Sequence, residues 1–403
     1  LKSEFCIAFL IALLSASALD FLSKATSLIT SSKNRIGFQG MNIKLKTLSL
    51  TTVLAVMASG AFAQERTLNV YNWSDYIDES ILTDFTKETG IKVTYDVFDS
   101  NEILETKLLA GGTGYDLVVP SATFLARQIN AGVFQELDKS ALPNSKNMWD
   151  VITDRTEKYD PGAKFSINYM WGTTGIGYNI KKVKERLGGE VTSWDVFFDP
   201  AKLAKLKDCG VHVLDAPAEL IPAALNYLGK NPDSKDAGDI AEAEALLAKT
   251  TPNVQKFHSS EYINALSNGD ICLAVGWSGD IFQARDRAAE AKAGVEIGYS
   301  IPSEGALMWF DQMAIPKDAK NVKEAHEFLN YIMRPDVIAK ASNYVYYANG
   351  NKASQPLLEK DVLEDPAIYP DDATLAKTYI TTPYDARTQR IVTRAWTKVK
   401  TGQ

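Results

Sequence analysis

Three short segments pair an aromatic side chain with a carboxylate: Trp73-Ser74-Asp75-Tyr76, Trp277-Ser278-Gly279-Asp280 and Trp309-Phe310-Asp311. An ammonium group leaving water must regain charge and hydrogen bonds, and a carboxylate supplies both. Flat aromatic rings wall an alkyl chain at little entropic cost and attract a cation through their faces, by ~0.5–2 kcal/mol each. Several aromatics with two or more separated carboxylates therefore describe a slot for a linear polycation. Any one such pair is more readily a core aromatic beside a helix-capping or solvated acid. Three of them, each at or near a strand, bring the two readings level. Ser121 follows another strand and joins the candidates.

Catalytic signals are poor. His212, His258 and His326 are the only histidines and have no metal-ligand spacing. No G-x-S-x-G elbow, H-E-x-x-H or phosphate loop occurs. Gly172-Thr-Thr-Gly175-Ile-Gly177 is glycine-rich in the wrong order for a dinucleotide fingerprint. Paired carboxylates can serve a glycosidase, so Asp75, Glu219, Asp280 and Asp311 keep an exported hydrolase as the alternative. The expectation is a non-enzyme without cofactor or metal.

The elements around these residues read as α/β. Thr67–Tyr71 is a strand, a helix carries Ile81, Leu82 and Phe85 to Gly90, and residues 91–98 form a strand with Val93, Tyr95 and Val97 on one face. A helix over 101–109 ends at Gly111-Gly112, and the 116–119 strand ends at Pro120. Strand or turn is expected at 175–179, helices at 217–228 (interrupted by Pro222), 241–249 and 260–268, and strands at 271–275 and 306–315. Asn321 with Glu324 suggests a capping box for a helix running to Met333. Strands alternating with helices of this length indicate parallel sheets covered on both faces. Ligands of such sheets bind beyond the carboxyl ends of strands, where the aromatic–acid pairs fall.

The 403 residues are 45% hydrophobic and 23% charged, which suits about two globular domains. Met41 opens a run with Lys44 and Lys46, an apolar stretch from Leu48 to Met57, and Ala61-Phe62-Ala63. These are the three parts of a secretory signal, with cleavage near Ala63. Residues 1–40 are read as a spurious upstream extension, with a genuine extended leader as the alternative. The formal net charge of −7 argues against a nucleic-acid partner. Without 1–63 it becomes −11, which suits a small cationic ligand. No later apolar stretch approaches the ~20 residues of a membrane span. Cys209 and Cys272 remain after cleavage, and an oxidising compartment favours one disulfide over two unrelated buried thiols.

YNWSDYI (71–77), ETGIKVTYDVFDSNE (88–102), YDLVVPS (115–121), LDAP (214–217), FHSSEYIN (257–264), NGDICLAVGWSGD (268–280), YANGNKA (347–353) and TRAWTKVK (393–400) carry a resemblance. Through them the chain resembles the periplasmic polyamine-binding proteins of bacterial ABC importers, along essentially all of 64–403. The resemblance implies a two-lobed type II periplasmic-binding fold, each lobe a mostly parallel sheet covered by helices, with ligand in the cleft between. It divides the chain into lobe one (64–172), lobe two (173–290), a return to lobe one (291–335), and lobe two with a C-terminal segment (336–403). It implies that Trp73, Ser74, Asp75, Tyr76 and Ser121 line the pocket from lobe one, and Glu219, Trp277, Ser278 and Asp280 from lobe two. Trp309 and Asp311 match the family's aromatic-x-Asp site, Tyr347 a late aromatic wall, and Cys209 with Cys272 its disulfide. Asp280 and Asp311 would bind ammonium groups, supported by Glu219 and Asp75. Trp309 resembles spermidine-preferring members and Asp75 putrescine-preferring ones; the balance expected is spermidine with putrescine also bound. A monomer in the periplasm, partnered by an inner-membrane permease, completes the picture.

Overall fold

The computed structural model describes residues 65–402. The expected signal peptide and the 1–40 extension lie outside the described residues. Ten strands form one sheet in the order β2-β1-β3-β9-β4-β7-β5-β6, with β8 and β10 also paired to β4. They are β1 (Thr67–Trp73), β2 (Lys92–Phe98), β3 (Leu117–Val118), β4 (Ser166–Asn179), β5 (Val211–Val213), β6 (Lys256–Phe257), β7 (Leu273–Trp277), β8 (Ile297–Ser300), β9 (Leu307–Ala314) and β10 (Ala348–Asn349). Pairing is parallel within β2-β1-β3 and within β7-β5-β6. Two long antiparallel strands, β4 and β9, join these halves, with Ser166 opposite Ala314 at one end and Thr174 opposite Leu307 at the other.

Local chemistry explains the element ends. Asp78 caps the helix Glu79–Thr89 by accepting from Ser80 N–H, and Gly90 closes it at φ 73°, a conformation glycine adopts without Cβ strain. Ser100 caps Asn101–Ala110 in the same way. The expected capping box at Asn321 does not form. The Asn321 side chain donates to Asp116 instead (2.9 Å), as do the backbone N–H groups of Lys320 and Asn321 (2.9 Å each). A buried carboxylate is the stronger acceptor, and Asp116 also takes the Asn69 N–H, so it ties the helix start to the sheet.

Two large cores lie on the two halves. One collects Leu68, Phe85, Leu104, Leu125, Phe328 and Leu329. The other collects Trp194, Phe197, Leu220, Leu247, Tyr262 and Trp396. A third, built around Trp171, Phe282, Phe310 and Val362, backs the crossing strands. The packing departs from the expected division at two places. Val337, Ile338, Ala341 and Val345 of the helix Pro335–Val345 pack in the first core, not with the second lobe. Strand β8, expected in the return to lobe one, pairs with the second-lobe end of β4 and buries Ile297 in the second core. The 336–347 segment is amphipathic, and sequence periodicity does not say which core its apolar face meets. A smaller correction concerns β2. Val97 is 53% exposed, because β2 is the sheet's edge and only Phe98 at its end is fully covered.

Candidate functional site

The carboxyl ends of β1, β3 and β7 converge on the two crossing strands. Their tips bound a cleft of about 380 Å³ lined by Trp73, Ser74, Tyr76, Ser121, Glu219, Trp277, Asp280, Trp309, Asp311 and Tyr347. Ten of the twelve expected site residues are therefore brought together, from segments as far apart as 73 and 347.

Each acid is held by neutral donors. Asp311, on β9, accepts from Tyr76 OH (2.8 Å) and from Ser121 Oγ (2.6 Å), which an isolated bridge sets directly opposite. Asp280 accepts from Tyr262 OH and Tyr347 OH, both at 2.6 Å. Glu219 sits in the first turn of the helix Pro217–Tyr227 and accepts from Trp277 Nε1 (3.0 and 2.9 Å) and Thr174 Oγ1. Burial is the largest influence on all three and pushes each pKa up to about 7, against the pull of these hydrogen bonds. Near pH 7 the cleft can thus take up or release protons.

The aromatic walls come from both lobes. Trp73 meets Trp277 edge-on at 5.4 Å, and Tyr347 meets both Tyr76 (5.1 Å) and Trp309 (5.4 Å). The Trp73 ring is fixed by its Nε1–H donating to Val119 O (2.9 Å). Two glycines make the room. A Cβ on Gly172 would lie 2.7 Å from the Trp309 ring, its register partner, and one on Gly279 would lie 2.5 Å from the Tyr347 ring. Among the described residues, Trp309 Nε1 is buried without a protein partner.

Two expected residues do not line the cleft. Ser278 is the first residue of the helix Ser278–Glu290 and turns its hydroxyl to Thr173 N–H (3.4 Å). Strand β7 passes into that helix without a loop, so Asp280 occupies the first turn, where the helix dipole favours its charge. Asp75 adopts φ 53°, faces outward and pairs with Arg287 at 2.5 Å; its backbone carbonyl accepts from Gln283 Nε2 (3.1 Å). Asp75 follows β1 while Gln283 and Arg287 lie on the helix Ser278–Glu290, so these contacts tie the two elements together beside the cleft. Tyr262 was missed. It lies within the matched segment 257–264, but nothing in local sequence ties its hydroxyl to Asp280 eighteen residues on. Cys209 and Cys272 form a disulfide.

The chain matches the family model for bacterial extracellular solute-binding protein over residues 80–370. It is 55% identical to the putrescine-binding periplasmic protein PotF of Escherichia coli K12, over 87% of this chain and 96% of that protein. It is 51% identical to the putrescine-binding periplasmic protein SpuD of Pseudomonas aeruginosa, over 88% of this chain and 98% of that one. Among solved structures, a putative spermidine/putrescine ABC transporter from Listeria monocytogenes superposes with a TM-score of 0.75 at 34% identity, covering 84% of this chain and all of that one. By length of match and by fold, this chain belongs to the bacterial extracellular solute-binding protein family.

Proposed function

We propose that the protein captures a polyamine in the periplasm and delivers it to an ABC importer of the inner membrane. One observation supports the reading: among the described residues, the cleft lining holds three carboxylates, Glu219, Asp280 and Asp311, and no lysine or arginine. Closing such a cleft empty leaves buried negative charge without a counter-ion, which is costly. A diammonium ligand supplies that charge, and the aromatic walls take the methylenes. Ligand therefore favours the closed arrangement by differential affinity, which is the mechanism of capture. No covalent step is needed. The relatives' names, putrescine-binding at 55% and 51% identity and spermidine/putrescine-binding at 35–36%, support the class.

For ligand length, we infer that both putrescine and spermidine are accepted, with spermidine favoured. A narrow recess adjoins the slot, sharing Ser121, Glu219 and Trp309 with it. A triamine's third nitrogen has Glu219 to meet there. Asp75 no longer argues for the shorter ligand as a direct contact, because it is paired with Arg287 outside the lining.

Calorimetric titration of refolded, ligand-stripped protein with spermidine, putrescine and cadaverine tests both levels. One-to-one binding is expected, tightest for spermidine. In Asp280→Ala the bound ammonium loses its partner, and ~2–5 kcal/mol of binding should go with it. Unchanged affinity in that variant would remove Asp280 from the site, and no binding of any polyamine would remove the function. A hydrolase using the same acids would instead turn over a chromogenic glycoside panel.

A further inference from the structure

Behind the crossing strands, on the face of β9 opposite Asp311, lies a second pocket, open to solvent, with about 810 Å³ of space including its mouth. Its charges differ in kind from those of the cleft. Lys139 and Lys146 face Asp150 and Asp160, two cations among two anions. Its floor is polar. Ser166 on β4 and Gln312 on β9 are both buried; the Gln312 amide oxygen lies 3.5 Å from Ser166 Oγ, and its Nε2 has no protein partner among the described residues. Gln312 follows Asp311 in the strand, so successive side chains on β9 serve opposite faces of the sheet.

We propose that this cavity is a second ligand site and that it takes a small amino acid in its zwitterionic form. The carboxylate of such a ligand would meet the Gln312 amide and the charge of the exposed Lys139, whose ammonium, among the described residues, hydrogen-bonds the carbonyl of Ala163. Asp160 is suited to the ammonium. Its Oδ2 is filled by Phe165 N–H, Ser166 N–H and Ser166 Oγ (3.0, 2.9 and 2.8 Å), while Oδ1 accepts only Lys164 N–H (3.0 Å). A free amine has no reason to choose this cavity, because the cleft offers three acids and no base. A simple anion would add net negative charge to a lining whose two lysines and two aspartates already balance. Only a ligand carrying both charges matches a lining that carries both. The proposal does not depend on the polyamine reading.

Ligand-observed NMR on the purified protein, with glycine and L-alanine against the half-analogues L-lactate and propylamine, tests it. The cleft is first filled with spermidine so that amines are not counted there. The amino acids are expected to bind at least tenfold more tightly than either half-analogue. Gln312→Leu and, separately, the rim variant Lys139→Met should each lower amino-acid binding at least tenfold while the spermidine titration stays as in the parent, which also reports an intact fold. The proposal is overturned if no amino acid binds up to about 10 mM, weaker than any useful site. It is equally overturned if lactate or propylamine binds as well, or if binding survives in both variants.

Discussion

Acidifying the solution from pH 8 to 5.5 should cost the protein most of its polyamine affinity. In the ligand-free cleft Asp280 and Asp311 have pKa values near 7 because burial disfavours their charge. Against a bound ammonium both must be ionised, so each gives up its proton before or during binding. At pH 5.5 about one carboxylate in 30 is ionised at a pKa of 7, and the association constant falls by roughly that factor for each. Two such groups give about a thousandfold, or ~4 kcal/mol. Glu219, also raised to about 7, acts in the same direction. The sign for stability is opposite. A carboxylate whose pKa is raised from 3.8 to about 7 in the folded protein makes the empty fold more stable at pH 4, and that advantage disappears as the pH climbs through 7. The loss is roughly 4 kcal/mol per aspartate. Calorimetry at several pH values, in buffers of different ionisation enthalpy, reads both the affinity and the protons released. An affinity that is flat from pH 8 to 5.5, with heats independent of the buffer, would refute the reasoning, because the carboxylates would then be ionised before the ligand arrives.

Trp309→Phe removes the ring that fills the space above Gly172 and should shift preference towards putrescine by about tenfold, read as the ratio of the two dissociation constants. Equal loss for both ligands would make Trp309 a general wall with no role in ligand length. Arg287→Ala breaks a half-exposed ion pair beside the cleft, so the effect should be ~0.5–1 kcal/mol, seen by stopped flow as a severalfold faster release with little change in association. Replacing Cys209 and Cys272 by Ser opens a loop with a sequence separation of 63, and chain entropy predicts a stability loss of roughly 4 kcal/mol in urea unfolding. The disulfide lies in the second core, away from the cleft, so polyamine affinity should stay at the parental value.

Much of the site was legible because it lies where strands end. Trp73, Ser121, Trp277 and Asp311 follow or sit in segments whose apolar runs mark them as strands, and α/β sheets expose such tips to ligand. The aromatic–acid pairing then pointed to a cationic ligand as the expectation. Tyr347 was legible only through resemblance, and Glu219, though counted among the candidate carboxylates, was placed in the pocket only that way, since neither stands beside a strand signal or a partner in sequence. Asp75 and Ser278 shared the same motifs as true lining residues. Side-chain direction separated them: a left-handed backbone at Asp75 turns it to Arg287, and the helix start at Ser278 turns its hydroxyl to β4.

The sequence by itself determined the element types of the first β-α-β segment and of the 271–275 and 306–315 strands, and the strand tips that carry aromatic–acid pairs, since these depend on local periodicity and residue type; of the long crossing strand Ser166–Asn179 it showed only the last five residues, as strand or turn. Only the tertiary structure decided which acids share one cleft, that Tyr262 holds Asp280, that the Pro335–Val345 helix joins the first core, and that Gln312 opens onto a cavity behind Asp311. These depend on contacts between residues far apart in the chain. Burial, and with it the raised pKa of each carboxylate, exists only once those contacts have excluded water.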